Sequence, residues 1–424
     1  DSYKYFAAYN GGVAKLASAL GWMSRNGDIG MNDRSTNIPN KSQLLRQLPS
    51  IDLLRKAGLG PNYWDDFLKR SFTDPWWDKM GYTTDQDTFD TPAIHVDGWY
   101  DTGVSDTLRH FNRMRSHGMS VEARENQFAI ISPGTHCRSE GLGKDAIVGD
   151  VNVSDASFPY WDTYLKWFDY WLKGKDNGVI KMPKIQYHVT QLQTWANAAQ
   201  WPPAASVRVK YFLRSGGKAN SLNGDGVLSQ TPPAQEPSDR FVYDPGDPVP
   251  SKGGSFCCTG NPDDRPGIFD QTEIERRDDV LVYTSAALDK PMTLAGPLGG
   301  VLHVSSTARD TDFTLKLIDV QPDGKAYNIQ ESIIRTRYRE GFDQQVFMKK
   351  GDVYRLAIDL NDTAYYLPAG HKLRLEVSSS NFPHFERNLN TGGRNYDETE
   401  WVKANNTVHH KNQYPSYITV SVKE

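Results

Sequence analysis

The stretch TPAIHVDGWYDTGVSDTLRHF, Thr91 to Phe111, decides how this chain is read. An apolar run ends abruptly at Gly98-Trp99-Tyr100-Asp101, and the residues after it take on helical spacing. A carboxylate that closes a buried strand has two explanations. Asp101 is either the N-cap of the following helix, since Asp is a preferred cap, or an acid held at the C-terminal edge of a parallel sheet, where functional residues collect in α/β proteins.

Working outward, PAIHV reads as a strand, DTLRHFNRMRSHG as a helix closed by Gly118, QFAIISPG as a second strand, and YWDTYLKWFDYWLKG as an aromatic helix ending at Gly174. Strands alternating with helices predict a parallel sheet covered on both faces. Two strands fall short of a doubly wound sheet, so either the rest of the sheet is missing from this chain or the module is unusually small. Upstream, GGVAKLASALGWM, NKSQLLRQL, SIDLLRKAG and NYWDDFLKRSF space their apolar residues as helices do, with Asn40 and Ser50 available as N-caps and no convincing strand. Beyond Pro183, short alternating segments such as KIQYHVT, SVRVKYFLR, FTLKLIDVQPDG and KLRLEVSSS follow one another between Gly, Pro, Asn and Asp. The predicted fold class is therefore α/β plus all-β: a helical cap over 1–88, an α/β part over 89–182, and a β-sandwich or jelly roll over 183–424. The long Pro- and Gly-rich stretch YDPGDPVPSKGGSFCCTGNPDDRPG is expected to pack as an ordered excursion.

Composition excludes several classes. At 424 residues the chain can bury more than one core. A formal charge of −4, with Lys and Arg scattered, leaves no basic field for a phosphate backbone, so nucleic acid is not an expected partner. No window approaches the roughly 18 consecutive apolar residues of a membrane span, and the chain reads as soluble. Its three cysteines, Cys137, Cys257 and Cys258, make no disulfide framework and lack the spacing of a zinc site. The first residues, Asp1-Ser2-Tyr3-Lys4, carry neither a starting Met nor a signal pattern, and the expectation is a mature or truncated product.

Asp101 follows one predicted strand and His136 the next. A carboxylate and an imidazole at neighbouring strand ends are placed to hydrogen-bond, the acid fixing the tautomer while the other ring nitrogen takes a proton from a hydroxyl. The bland readings stand beside this one: a helix cap for Asp101, an ordinary loop histidine for His136.

PAIHVDGWYD, AIISPGTH, FDQTEIERRDDVLVYTSAAL, DTDFTLKLIDVQPDGKAYNI and GHKLRLEVSSSNFPHFERNLNTGG together resemble the CocE/NonD hydrolases, the group of cocaine esterase, α-amino acid ester hydrolases and X-Pro dipeptidyl-peptidases. The resemblance implies the C-terminal part of an α/β-hydrolase with a helical cap, followed by a jelly roll. It implies Asp101 as triad acid and His136 as triad base, with Gly134 where the family often has Trp. The family's nucleophile sits on a Gly-x-Ser-x-Gly-like elbow, and this chain has none. Ser105 lacks the closing glycine and reads as solvated or capping; Ser24 lies in the helical cap. The resemblance thus places the nucleophile and the oxyanion donors upstream of Asp1, on an N-terminal hydrolase segment that would be the chain's partner. The expected reaction is serine-dependent transfer of a small-molecule acyl group to water, from an ester or amide, with no cofactor and no metal.

Other residues carry two readings each. Trp76, Trp77 and Trp99 are candidates to line a substrate pocket, against ordinary cap packing. Asp85, Asp87 and Asp90 are an ammonium-binding cluster or a solvated loop. Cys257-Cys258 is a redox pair, a metal ligand or two small hydrophobes; His409-His410 is a metal site or surface. The aromatic helix 160–172 is read as core between the hydrolase layer and the sandwich. The rival to an enzyme is a non-catalytic fragment whose β-sandwich binds carbohydrate or a partner chain, and a homo-oligomer stays open.

Overall fold

The computed structural model describes residues 8–26, 38, 40–60, 62–80, 82–84 and 86–424. The N-terminal part opens, against expectation, on a small hairpin, β1 (Tyr9–Asn10) with β2 (Val13–Ala14). Gly11 turns it at φ 53°, and a Cβ there would lie 1.9 Å from the Ile333 carbonyl oxygen, so the turn lies flush on a later strand. Helices α1 (Leu16–Asn26), α2 (Lys41–Leu45), α3 (Leu53–Lys56) and α4 (Tyr63–Lys69) follow. Their apolar faces meet in one cluster that holds Leu20, Leu54, Trp64, Phe67 and Trp77. The expected caps differ. Asn40 precedes α2 but makes no side-chain cap, and the Ser50 hydroxyl donates to Glu386 (2.9 Å) instead. Asn62 is the working cap, accepting from the Trp64 amide at 2.9 Å.

The next part alternates as predicted: β3 (Ala93–Tyr100), α5 (Val104–His117), α6 (Val121–Glu125), β4 (Gln127–Thr135), a hairpin of β5 (Ala146–Val148) and β6 (Val151–Ser154), and α7 (Tyr160–Lys173), which Gly174 closes at φ 65°. The sheet runs past residue 182. β7 (Ile185–Val189), read from sequence as the sandwich's first strand, pairs in parallel with β4, and β8 (Thr194–Ala198) adds antiparallel to β7, in the order β3-β4-β7-β8. Ile185, Tyr187 and Val189 alternate in sequence with the polar Gln186 and His188, a pattern that suits either sheet, so alternation alone assigned the strand wrongly; in the fold His188 is buried with them. β3 pairs only with β4 among the described residues, leaving its outer edge without a strand.

Helix α7 is core on one face only. Trp167 meets Phe128 edge-on at 5.7 Å, while Trp161, Leu165, Phe168 and Leu172, at i, i+4, i+7 and i+11, are exposed.

The remaining chain is β-rich: β9 (Ser206–Arg214), β10 (Val227–Ser229), β11 (Asp239–Tyr243), β12 (Leu281–Thr284), β13 (Met292–Ser306), β14 (Asp312–Val320), β15 (Ala326–Arg335), β16 (Tyr354–Leu367), β17 (Lys372–Ser378), β18 (Ala404–His409) and β19 (Tyr417–Lys423). They form one hydrogen-bonded path, β11-β18-β13-β19-β9-β10-β12-β17-β14-β15, with β16 on β13. Residues from all eleven of these strands, among them Leu213, Phe241, Leu302, Leu315, Leu356, Leu375, Val408 and Val420, share one core.

The block SSSNFPHFERNLNTGG is a structural clamp. Buried Glu386 accepts from Ser50 of the cap, Arg335 of β15 (3.3 Å) and Asn395, while Asn388 donates to Asp310 (2.8 Å) and Asp312 (2.7 Å). Arg335 also pairs with Asp312 at 2.9 Å. Burial pairs each charge with an opposite one, as the low dielectric of an interior requires. His410 is likewise buried, at 2.8 Å from Asp239, and His409 meets Ser238 and Ser305; the pair is structural rather than surface.

Candidate active site

The site follows from strand register. In the parallel pair β3–β4, Tyr100 stands opposite Thr135, so the next residue of each strand, Asp101 and His136, leaves the sheet beside its neighbour. His136 Nδ1 lies 2.9 Å from both Asp101 carboxylate oxygens. The Thr102 amide donates to Asp101 Oδ1 at 2.5 Å and its hydroxyl at 3.3 Å, which holds the carboxylate against rotation. Asp101 is not the cap of α5: that position belongs to Gly103, which offers no side chain.

With Nδ1 engaged, Nε2 is the ring nitrogen left for chemistry. A cavity of about 410 Å³ opens beside the ring, walled by Trp22 and Met23 of α1, Phe67 of α4, Asp97 of β3, and Cys257 and Cys258 from the Pro- and Gly-rich excursion. Cap, sheet and β-rich part thus each contribute a wall. Cys258 hydrogen-bonds His136, and its φ of 59° turns both adjacent side chains toward the cavity instead of to opposite sides.

Electrostatics here are strongly coupled. The hydrogen bond to Asp101, and after it that to Cys258, push His136 up to about 11. Hydrogen bonds from Cys257 and then His136 bring the Cys258 thiol down to about 5, whereas its bond to Cys258 and burial push Cys257 up. Burial first, and the Asp101 charge second, raise Asp97 to about 7. The Gly98 amide (2.7 Å) and the Thr107 hydroxyl (2.6 Å) donate to it. Lys15, lowered by burial, donates to the Thr102 carbonyl at 3.1 Å.

Several sequence candidates lie elsewhere. Trp77 and Trp99 are fully buried, Trp77 donating to the Ser71 carbonyl (2.9 Å) and Trp99 to that of His188 (2.7 Å). Trp76 packs edge-on against Phe67 at 5.8 Å, behind the residue that does face the cavity. Ser105 is neither solvated nor a cap: its buried hydroxyl accepts from the Asp362 amide at 2.6 Å. The Ser24 hydroxyl bonds the Gly21 carbonyl at 2.8 Å. Asp85 lies outside the described residues, and Asp87 accepts from the Thr84 amide and hydroxyl in a local turn. Sequence reasoning missed Asp97, Trp22 and Phe67. Asp97 had a signal, a carboxylate inside an apolar strand; the aromatics had none, because helical spacing marks only the buried face.

Two family models match the chain, the X-Pro dipeptidyl-peptidase S15 family over residues 1–138 and the X-Pro dipeptidyl-peptidase C-terminal non-catalytic domain over 177–419. Cocaine esterase from Rhodococcus sp. (strain MB1 Bresler) is 32% identical over 433 residues, covering 97% of this chain and 73% of the esterase. A putative serine esterase of Mycobacterium bovis is 26% identical over 310 residues, 68% of this chain and 45% of that protein. Among solved structures, an aminopeptidase from a marine-sediment Thaumarchaeota archaeon superposes with a TM-score of 0.84 at 20% identity, covering 98% of this chain and 70% of its own. An α-amino acid ester hydrolase does so at 0.82 and 22%, with the same coverages. The fold is that of a hydrolase joined to a large β-rich C-terminal part. Within that class, the chain belongs to the CocE/NonD family of hydrolases.

Proposed function

We propose that this chain supplies the acid and base of a serine-type acyl hydrolase, with the nucleophile carried on a segment preceding residue 1. The observation that carries the reading is the Asp101–His136 pair at adjacent strand ends, with the imidazole lining a cavity. In the reaction the serine hydroxyl attacks the acyl carbonyl as His136 Nε2 takes its proton. The imidazolium, stabilised by Asp101, then protonates the leaving group, and water resolves the acyl-enzyme by the same path in reverse roles. Trp22 and Phe67 shape a site for a small acyl group, from an ester, an aminoacyl ester or an X-Pro dipeptide amide. The β-rich part is read as a jelly roll that delivers one wall of the pocket.

The free edge of β3 supports a missing sheet segment, since an unpaired strand beside an active site is an invitation to pairing. Among the described residues, the serine that lines the cavity is Ser18, whose hydroxyl accepts from the Cys257 amide at 3.3 Å. This chain alone should therefore form no acyl-enzyme. Burst kinetics with a p-nitrophenyl ester, on the chain alone and on a longer protein that includes the upstream segment, test this. A burst only from the longer protein is expected. A burst from this chain alone, abolished by Cys258→Ala, would move the nucleophile into this chain.

A further inference from the structure

The wall opposite the imidazole is made of two free thiols. One ligand atom each from His136, Cys257 and Cys258 lies within 4.8 Å of the other two. We propose that these three residues form a binding site for a soft divalent cation of the zinc group. Occupancy withdraws His136 from proton transfer and so inhibits the enzyme, an inhibition that rests on the hydrolase reading above.

Four observations converge on this site. Two sulfurs and an imidazole are a donor set that zinc-group ions prefer, whereas calcium and magnesium seek oxygen. Bond lengths near 2.0–2.3 Å place tetrahedral donors within about 4 Å of one another, so only a small contraction of the present cluster is needed. Asp101 on Nδ1 presents Nε2 to the metal and fixes the ring, the outer carboxylate that metal-bound histidines commonly have. Finally, the three donors leave a fourth position facing the cavity, as at an open site.

Charge permits it. As the metal bonds form, the Cys257 thiol releases one proton to solvent and the hydrogen-bonded Cys258–His136 pair releases another, so two thiolates and a neutral imidazole meet the dication and no electron is transferred. Lys15, which bears on Cys257, opposes the ion, while Asp106 and Asp101 offset that cation. The inhibited state is reversible, since nothing covalent is made or broken in the chain.

The test is titration of the full reduced protein, freed of metal by a chelator, with cadmium ion, followed by thiolate-to-metal charge-transfer absorbance. One equivalent per chain is expected, lost in Cys257→Ser and in Cys258→Ser and retained in Cys137→Ser. Asp101→Asn should weaken affinity by about 10–100-fold. Melting curves of each variant show whether it is folded, and an intact band in the folded Cys257→Ser, Cys258→Ser double variant overturns the site, as does no band in the parent. In the longer protein that includes the upstream segment, zinc should inhibit ester hydrolysis in step with occupancy and EDTA should restore it; full activity at full occupancy overturns the inhibitory role. A cadmium band in the longer protein that includes the upstream segment, when that protein hydrolyses no ester even metal-free, supports the site and sinks the hydrolase reading instead.

Discussion

His136 Nδ1 stands 2.9 Å from both carboxylate oxygens of Asp101, although 35 residues separate the two in sequence. If that contact sets the tautomer, Asp101→Asn in the active protein should lower the acylation rate by several orders of magnitude, near the ~10⁴ known for serine proteases, because an amide favours the wrong ring nitrogen. His136→Ala should abolish the burst. Stopped-flow release of p-nitrophenol measures both, and an Asp101→Asn loss below about tenfold would remove the carboxylate from its role.

The base must be neutral to act, and His136 is raised to about 11. The ascending limb of kcat/KM against pH is therefore expected on the alkaline side of the ordinary imidazole value of about 6.5. Cys258 contributes to the shift, so Cys258→Ala should move the limb downward. A limb at or below pH 6.5 that ignores this substitution would show that the hydrogen bonds do not govern the ring.

Asp97 is buried and raised to about 7. Its folded value lies above the unfolded one near 3.9, so it favours folding while protonated at low pH and loses that contribution as pH rises through about 7. Asp97→Asn mimics the protonated form: its amide oxygen can still accept from Gly98, and the Thr107 hydroxyl can turn to accept. The variant's advantage in thermal melting should grow between pH 4 and 8, to on the order of a few kcal/mol at about 1.4 kcal/mol per pH unit. A difference that does not vary with pH would contradict this.

Ser105→Ala should affect stability and spare chemistry. The buried Asp362 amide loses its acceptor, at a cost of about 1–3 kcal/mol, visible as a lower urea midpoint with unchanged slope. Loss of the acylation burst in this variant would contradict its structural assignment.

The exposed stripe of α7 and the open edge of β3 should make this chain self-associate. Leu165→Lys with Phe168→Lys should reduce light scattering at high concentration with little change in melting, since exposed sites tolerate substitution. A parent chain that stays monomeric at the same concentration would show that these surfaces are not adhesive.

Local pattern determined much of this protein. Strand, helix, strand and helix over 91–174, with Gly118 and Gly174 as stops, were legible because caps and periodicity act within a few residues. So was the placement of Asp101 and His136 at successive strand ends. What the local pattern could not carry is partnership. Ile185–Val189 alternates equally well in either sheet, and only its hydrogen bonds to β4 chose one. Trp77 and Trp99 looked like pocket residues until packing buried them, and Ser105 looked solvated until Asp362 closed over it. Cys257 and Cys258 reach His136 from a loop in a distant part of the chain, a meeting that no spacing rule encodes. Side-chain periodicity says which face is buried; what it is buried against depends on the path of the backbone through space, and that is decided by tertiary contacts.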